Sequence, residues 1–264
     1  MKYYRTETKE SKFNLYPFVC WHIGSPQSDY NFITEMIARV KEDPIGRWAY
    51  LGDAGECVTR LSKGDIYSQT MSPGQQQNEL VKLLEPVKDK GLFGVRGNHG
   101  NRIYKETGLD FDETLCAKLG IPYMGTAAFW HLKVKDVYFS IFTHHGLDSG
   151  VAIGTKVNKA KAFENIIDAD AIFTAHSHIC VDLPPRYMAH LGEPRTVVGE
   201  PIKWTETREY ICGCAYDSRT GYAEDKGYPP LLPSHLMVQF STYKDSKGNR
   251  RKQQVATVYR KEDY

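Results

Sequence analysis

The sequence predicts a layered α/β fold, and two observations support this prediction. Short apolar runs of strand length alternate along the chain with segments of helical periodicity, and several of these runs end in glycine or polar residues. Alternating strands and helices indicate sheets covered by helices rather than an all-β protein. We expect a single domain over all 264 residues, in which the part after about residue 182 completes a sheet and forms a surface loop.

The individual elements follow from local patterns. Apolar runs predict strands at 15–21, 48–51, 92–95, 130–135, 137–142, 171–174, 236–240 and 254–259. Periodicity predicts helices over 32–40, 75–84, 112–119 and 160–167. The third helix is followed by Gly120 and Pro122, a common end signal. The Gly-, Pro- and Tyr-rich stretch 213–233 predicts a long surface loop, and the basic run from Lys247 to Arg251, with three cations, is interpreted as a solvated tail.

Composition excludes several classes of protein. The net charge of +2 provides no general basic field for nucleic acid, although a local patch is compatible with it. No apolar stretch approaches the roughly 20 residues that span a bilayer, and the polar N-terminus lacks a secretion signal. The six cysteines show no repeated C-x-x-C pairing, which argues against a disulfide framework. We therefore expect a reduced, cytoplasmic protein without a membrane partner.

Residues that can bind metal or handle phosphate occur at five predicted strand ends. These segments are Cys20-Trp21-His22, Gly52-Asp53, Gly97-Asn98-His99, His144-His145-Gly146 and Ala175-His176-Ser177-His178. Ligands of open α/β sheets bind beyond the carboxyl ends of the strands, so side chains at these positions converge. One histidine at a strand end is usually structural, but six of the nine histidines lie in these segments. The cluster therefore predicts a functional site.

The residue types in these segments suit a pair of divalent cations. Imidazole binds zinc, iron, manganese or nickel, while carboxylate and amide oxygens favour harder ions. A carboxylate can bridge two ions about 3.5–4 Å apart, a geometry that stabilises both oxygens in phosphoryl displacement. His176 and His178 have i, i+2 spacing, which in an extended strand places both side chains on one face.

The ordered motifs C-W-H, G-D, G-N-H, H-G and A-H-S-H resemble the calcineurin-like metallophosphoesterase superfamily. Its usual pattern is D-x-H, G-D, G-N-H-[DE], H or H-G, and G-H-x-H, in this order. The resemblance covers about residues 15–182 and implies a four-layer α-β-β-α sandwich of two mixed sheets flanked by helices. The residues around the motifs also resemble those of phage-encoded members of the superfamily. This resemblance implies that the protein is located in the cytoplasm of a host cell.

The resemblance implies a role for each motif residue. Asp53 would bridge two metals, with His22 and His178 on the first and Asn98 and His176 on the second. His145 fits the fourth motif best, and His144 is the alternative. His99 would protonate the leaving oxygen or stabilise the transition state, while a metal-bound hydroxide attacks phosphorus. Manganese is the expected metal, with zinc, iron and nickel as alternatives.

Three positions depart from the family pattern. Cys20 stands where the family has Asp, so it either ligates a metal as a thiolate or is a small buried residue beside a weakened first site. Gly100 replaces an acidic residue that commonly orients the histidine, and its presence predicts a looser His99. Ala175 replaces glycine, which is tolerated unless the backbone requires a positive φ.

Substrate contacts are less sharply defined by the sequence. Arg102 is a candidate to hold a phosphate oxygen together with Asn98, or else a surface residue. One of Lys156, Asn158 and Lys159 could reach substrate. The tyrosines of the predicted loop at 213–233, called the late loop below, could stack on a base or pack the loop. The leading hypothesis is a phosphodiesterase, such as a nuclease, acting on nucleic acid or nucleotides. The alternatives are a phosphomonoesterase and a degenerate, non-catalytic member of the superfamily.

Overall fold

The computed structural model describes residues 2–62, 64–147, 150–191 and 202–261. The strands in these ranges are β1 (Lys2–Thr8), β2 (Lys12–Phe18), β3 (Gly46–Tyr50), β4 (Gly91–Gly94), β5 (Ala127–Val134), β6 (Val137–His144), β7 (Ala171–Thr174), β8 (Cys180–Asp182), β9 (Arg186–Leu191), β10 (Ile202–Cys214), β11 (Ser234–Lys244) and β12 (Arg250–Arg260). The helices are α1 (Tyr30–Glu42), α2 (Pro73–Leu84), α3 (Gly100–Thr107), α4 (Phe111–Leu119), α5 (Ile153–Lys161) and α6 (Tyr222–Asp225). Short 3-10 helices cover Glu85–Lys90 and Phe163–Asn165.

The strands form two mixed sheets. The first sheet has the order β1-β5-β6-β7-β10, with β8 and β9 pairing with β10. The second has the order β12-β11-β2-β3-β4. Short pairing of Gly213 with His235 and of Cys214 with Ser234 joins the two sheets at one edge. Within them, β2, β3 and β4 run parallel to one another, as do β6, β7 and β10.

Four layers follow from where the apolar side chains are buried. Trp130, Phe173 and Phe240 belong to a core between the two sheets. The outer face of the second sheet packs against α1, α2 and α4, and the outer face of the first packs around Phe163 and Ile167 after α5. The predicted α-β-β-α arrangement of two mixed sheets with flanking helices is confirmed.

Most predicted elements are present with boundaries shifted by a few residues. The apolar stripe of α1 is buried as expected, and the side chain of Asp29 caps this helix by accepting from Phe32 N at 3.0 Å. The predicted helix over 160–167 is wrong in extent, because α5 begins at Ile153 and gives way to a 3-10 turn. The basic run before Arg251 is not a tail but the turn between β11 and β12, where Asp245 pairs with Arg251.

The elements that the apolar pattern missed are polar or partly exposed. They are β1, α3, β8, β9 and β10. Strand β1 lies at a sheet edge and alternates exposed and half-buried residues, so it contains no apolar run. Among the described residues, no helix is long and apolar enough to cross a membrane.

Candidate metal centre

The five motif segments lie beyond the carboxyl ends of neighbouring parallel strands. Cys20 and His22 follow β2, Asp53 follows β3, and Asn98 and His99 follow β4. His145 follows β6, and His176 and His178 follow β7. The two sheets contribute to the same place, because the side chains of Asp53 and His145 are in contact across them.

The backbone adopts a left-handed conformation at most of these residues. The described non-glycine residues with positive φ are Cys20, His22, Asp53, Cys57, Lys135, His176 and His178. Five of these seven are motif residues, and such strained positions concentrate at functional sites because only the surrounding structure keeps them there. The expected extended conformation at His176 and His178 is therefore wrong: β7 ends at Thr174, and φ is 66° and 60° at the two histidines.

One group of possible ligands comprises Cys20, His22 and His178, whose ligand atoms lie within 4.8 Å of one another. The Nε2 atoms of His22 and His178 are 3.1 Å apart, and Nδ1 of His22 lies 3.0 Å from Oε2 of Glu56. An ionised carboxylate only accepts, so Nδ1 of His22 carries the proton and Nε2 offers a lone pair. Burial, and then the neighbouring ring of His22, lower the pKa of His178 well below its ordinary value.

A second group forms around His145. Its Nδ1 donates to Leu51 O at 2.7 Å, and its Nε2 lies 2.9 Å from both Asp53 Oδ2 and Asn98 Oδ1. Although burial opposes protonation, the charge of Asp53 raises the pKa of His145. The point between Nε2 and the two oxygens therefore suits a proton or a cation. The ring of His176 lies 5.3 Å from that of His145.

His144 faces away from these groups. Its Nδ1 accepts from Gly146 N at 2.8 Å, and its ring packs 4.8 Å from that of Phe163. Burial lowers the pKa of His144 to about 4. Between the two histidines that the sequence left open, His145 is therefore the one directed at the candidate centre.

Asp53 lies where the two groups meet. Its Oδ1 accepts from His99 N at 2.8 Å, whereas Oδ2 is buried without a hydrogen-bond donor. Although burial opposes ionisation, the charges of His145 and His99 hold the pKa of Asp53 well below its ordinary value. A side chain at Gly97 would place its Cβ 2.1 Å from Asp53 Oδ1, so only glycine permits this approach.

The donor set fits divalent cations. It combines a buried carboxylate oxygen without a donor, an amide oxygen, a thiol and imidazole nitrogens that offer lone pairs. Proteins almost always satisfy buried acceptors, and a cation satisfies several at once. Residues that could hold a metal ion are therefore present at this edge of the sheets.

His99 and Arg102 are held by a residue that the sequence analysis missed. His99 Nδ1 donates to the backbone oxygen of Glu56 at 2.8 Å, and Arg102 donates to His99 Nε2 at 3.0 Å and to Glu56 O at 3.2 Å. Burial lowers the pKa of His99 to about 4, against the opposing charge of Asp53. Arg102 is thus part of the candidate site rather than a surface residue. The only sequence signal for Glu56 was that it is an acidic residue three positions after Asp53.

Asp112 fills the space beside Gly100. A Cβ on Gly100 would lie 2.2 Å from Oδ2 of Asp112, which accepts from Gly97 N at 3.1 Å. Burial raises the pKa of Asp112 to about 7. With Gly100 in place of an acidic residue, the ring of His99 is hydrogen-bonded to Glu56 O and Arg102 instead.

Ala175 does not require a positive φ. It is absent from the described residues with a left-handed backbone, and its N–H donates to His145 O at 2.9 Å. The replacement of glycine by alanine is therefore accommodated without strain.

The candidate centre opens into a cavity of about 510 Å³. Its wall includes Arg102, Lys156, Tyr216, Tyr228, Pro229 and Leu231. The late loop therefore covers part of the site as well as forming surface. Lys156 is 8% exposed, and its ammonium donates to Ser177 O at 2.7 Å, between the two histidines of the last motif. Tyr216 packs edge-on against His22, with ring centroids 5.3 Å apart.

Comparisons with known proteins give no closer definition. No family model matches the sequence, and no curated protein matches it. Solved structures with similar folds include Vps29 of Chaetomium thermophilum, with 14% identity, a TM-score of 0.41, and 97% of this chain and 100% of that chain covered. A single mutant of Vps29 from Entamoeba histolytica has 12% identity and a TM-score of 0.43, covering 93% and 99%. A hypothetical protein from Thermus thermophilus has 9% identity and a TM-score of 0.33, covering 95% and 100%. Similarities this distant assign neither family nor activity.

Proposed function

We propose that this protein is a metallophosphoesterase of the calcineurin-like superfamily that hydrolyses a phosphodiester in a nucleotide or nucleic acid. The observation that carries the proposal is the approach of two oxygens, Asp53 Oδ2 and Asn98 Oδ1, to within 2.9 Å of His145 Nε2, at a point where Asp53 Oδ2 is buried. Such an arrangement is favourable when a cation lies between them.

Two divalent cations would share Asp53. Cys20, His22 and His178 would hold the first, and Asn98, His145 and His176 the second. When bound, such a pair neutralises phosphate charge and supplies a nucleophile at neutral pH. Glu56 would fix the orientation of the His22 ring, because it accepts a hydrogen bond from Nδ1 and leaves Nε2 available as a metal ligand.

His99 would act on the leaving oxygen. In the free protein its Nδ1 proton is committed to Glu56 O, and Nε2 accepts from Arg102. An anionic phosphate beside the ring favours its protonated form, which then carries a second proton at Nε2 for the leaving group. Arg102 would turn its guanidinium to a non-bridging phosphate oxygen.

The cavity supports a substrate of nucleotide size. A volume of about 510 Å³ is typical of small-molecule sites, and its wall combines the cations of Arg102 and Lys156 with the rings of Tyr216 and Tyr228. Aromatic rings of this kind can pack against a base, while the cations face the phosphate. The net charge of +2 supplies no wider field for a long nucleic acid.

The experiment is hydrolysis of bis(p-nitrophenyl) phosphate and of p-nitrophenyl phosphate by the protein supplemented with manganese or zinc. We expect turnover of the diester, lost in Asp53→Asn and kept in Asp168→Asn, which changes an exposed aspartate. Preference for the monoester would replace the diesterase assignment. Metal-loaded protein that hydrolyses neither ester would be a binding protein, and the proposal would be wrong.

A further inference from the structure

The position of Cys20 distinguishes it from the other cysteines of the described chain. Its sulfur is within 4.8 Å of the ligand atoms of His22 and His178, and also of those of Asp53 and His145. It is therefore a member of both groups. The remaining five cysteines, at 57, 116, 180, 212 and 214, belong to no such group among the described residues.

The backbone holds Cys20 in this position at a conformational cost. Its φ is 50°, its N–H donates to Gly52 O at 3.1 Å, and its carbonyl accepts from Ala215 N at 3.1 Å. These bonds tie the residue to the loop after β3 and to the chain after β10.

Two further observations indicate that this point takes a cation. The Nε2 atoms of His22 and His178 approach within 3.1 Å beside the sulfur, although the Nδ1 proton of His22 is committed to Glu56. Asp53 Oδ2 is buried and has no donor. The Cys20 sulfur thus has two imidazole nitrogens and a carboxylate oxygen within 4.8 Å, a donor set that suits a cation.

We propose that Cys20 binds metal as a thiolate and makes the first position, together with His22 and His178, selective for zinc or ferrous iron over manganese. Sulfur ligands prefer these softer ions, whereas the Asp53, Asn98, His145 and His176 set offers oxygen and nitrogen. The two positions are consequently unequal. This inference rests on the proposed metal-dependent function and departs from the expectation of manganese at both positions.

The test is the absorption spectrum of the full chain titrated with cobalt(II), which substitutes for zinc. A thiolate ligand gives a near-ultraviolet charge-transfer band that nitrogen and oxygen ligands do not. We expect the band in the wild type and in Cys116→Ser, which changes a buried cysteine of α4, and its loss in Cys20→Ser. Zinc affinity at the first position should fall at least about tenfold in Cys20→Ser, and Cys20→Asp should favour manganese over zinc relative to the wild type.

The outcomes separate this inference from the proposed function. Two cobalt ions bound without the band, or a band that persists in Cys20→Ser, would overturn thiolate ligation and leave the metal-dependent function standing. Folded wild type that binds no cobalt would overturn both. If the Cys20 variants do not fold, X-ray absorption of zinc-loaded wild type decides, since a sulfur scatterer at about 2.3 Å supports the inference and a shell of nitrogen and oxygen alone refutes it.

Discussion

The Nε2 atoms of His22 and His178 lie 3.1 Å apart, on residues separated by more than 150 positions in the chain. With the Nδ1 proton of His22 bound to Glu56, the facing nitrogen of that ring has no hydrogen to donate. Burial lowers the pKa of His178, so its ring is neutral and carries one proton on one of its two nitrogens. A metal ion between the two Nε2 atoms would take both lone pairs when the proton of His178 lies on Nδ1.

Glu56 should control metal affinity although it is not a ligand. In Glu56→Gln, the acceptor that fixes the ring of His22 loses its charge, and loss of such partners typically lowers affinity about 10- to 100-fold. Calorimetric titration of metal-free protein with zinc measures this. Glu79→Gln on α2 is the control and should bind as the wild type does, whereas equal affinity in Glu56→Gln would exclude the role.

Gly97 should be irreplaceable. The Cβ of Gly97→Ala would lie 2.1 Å from Asp53 Oδ1 and 2.3 Å from its backbone nitrogen, so the loop must shift. We expect a loss of about 1–3 kcal/mol in the free energy of unfolding and of metal binding. Gly74→Ala, where a Cβ meets nothing within 4 Å, should match the wild type in urea unfolding and metal content. Metal bound normally by Gly97→Ala would contradict the close approach.

Replacement of His99 should lower the catalytic rate without affecting metal binding. Its ring bonds to Glu56 O and Arg102, so His99→Ala should retain metal while kcat for bis(p-nitrophenyl) phosphate falls about 10²- to 10⁴-fold. His131→Ala, an exposed histidine of β5, should leave kcat unchanged. Wild-type turnover in His99→Ala would remove this residue from the mechanism.

Lys156 should contribute to substrate binding. It is a buried cation on the cavity wall, hydrogen-bonded to Ser177 O. Replacement by the uncharged Lys156→Met should raise KM about 10- to 100-fold, the effect of losing one charge-assisted hydrogen bond. Lys159→Met removes an exposed cation of the same helix and should leave KM unchanged. An unaltered KM in Lys156→Met would show that its ammonium only braces the loop at Ser177.

The free energy of unfolding should decrease as the pH rises from mildly acidic to mildly alkaline, because of Glu209. Burial and the neighbouring Glu164 raise its pKa from 4.5 to about 8. Between these values the unfolded chain binds fewer protons than the folded one, so stability decreases as pH rises. Urea unfolding across this range should show a smaller decrease in Glu209→Gln than in the wild type or in Glu206→Gln, an exposed control. Equal slopes in all three would contradict the raised pKa.

The sequence predicted the elements whose side chains alternate or repeat clearly. The strand at 171–174 coincides with β7, and the apolar stripe of Phe32 to Val40 is the buried face of α1. The order of the motifs also led to Asp53, Asn98 and His145, because parallel strands bring their carboxyl ends to one edge.

Other features depend on tertiary contacts that no local pattern contains. The left-handed backbone at His176 and His178 has no signal in the local residue pattern. Asp112 reaches Gly97 from a helix elsewhere in the chain, and the wall provided by Tyr216 depends on how the late loop folds back. The contact of Glu56 with His22 is likewise invisible before β2 and β3 are paired.

Metal content measured by elemental analysis tests the account most directly. After incubation with zinc and manganese and removal of free ions, the wild type should retain about two divalent ions per chain, and Asp53→Asn markedly fewer. Folded protein that retains none, or an Asp53→Asn variant that retains as many as the wild type, would contradict the claim that these side chains gather around shared cations.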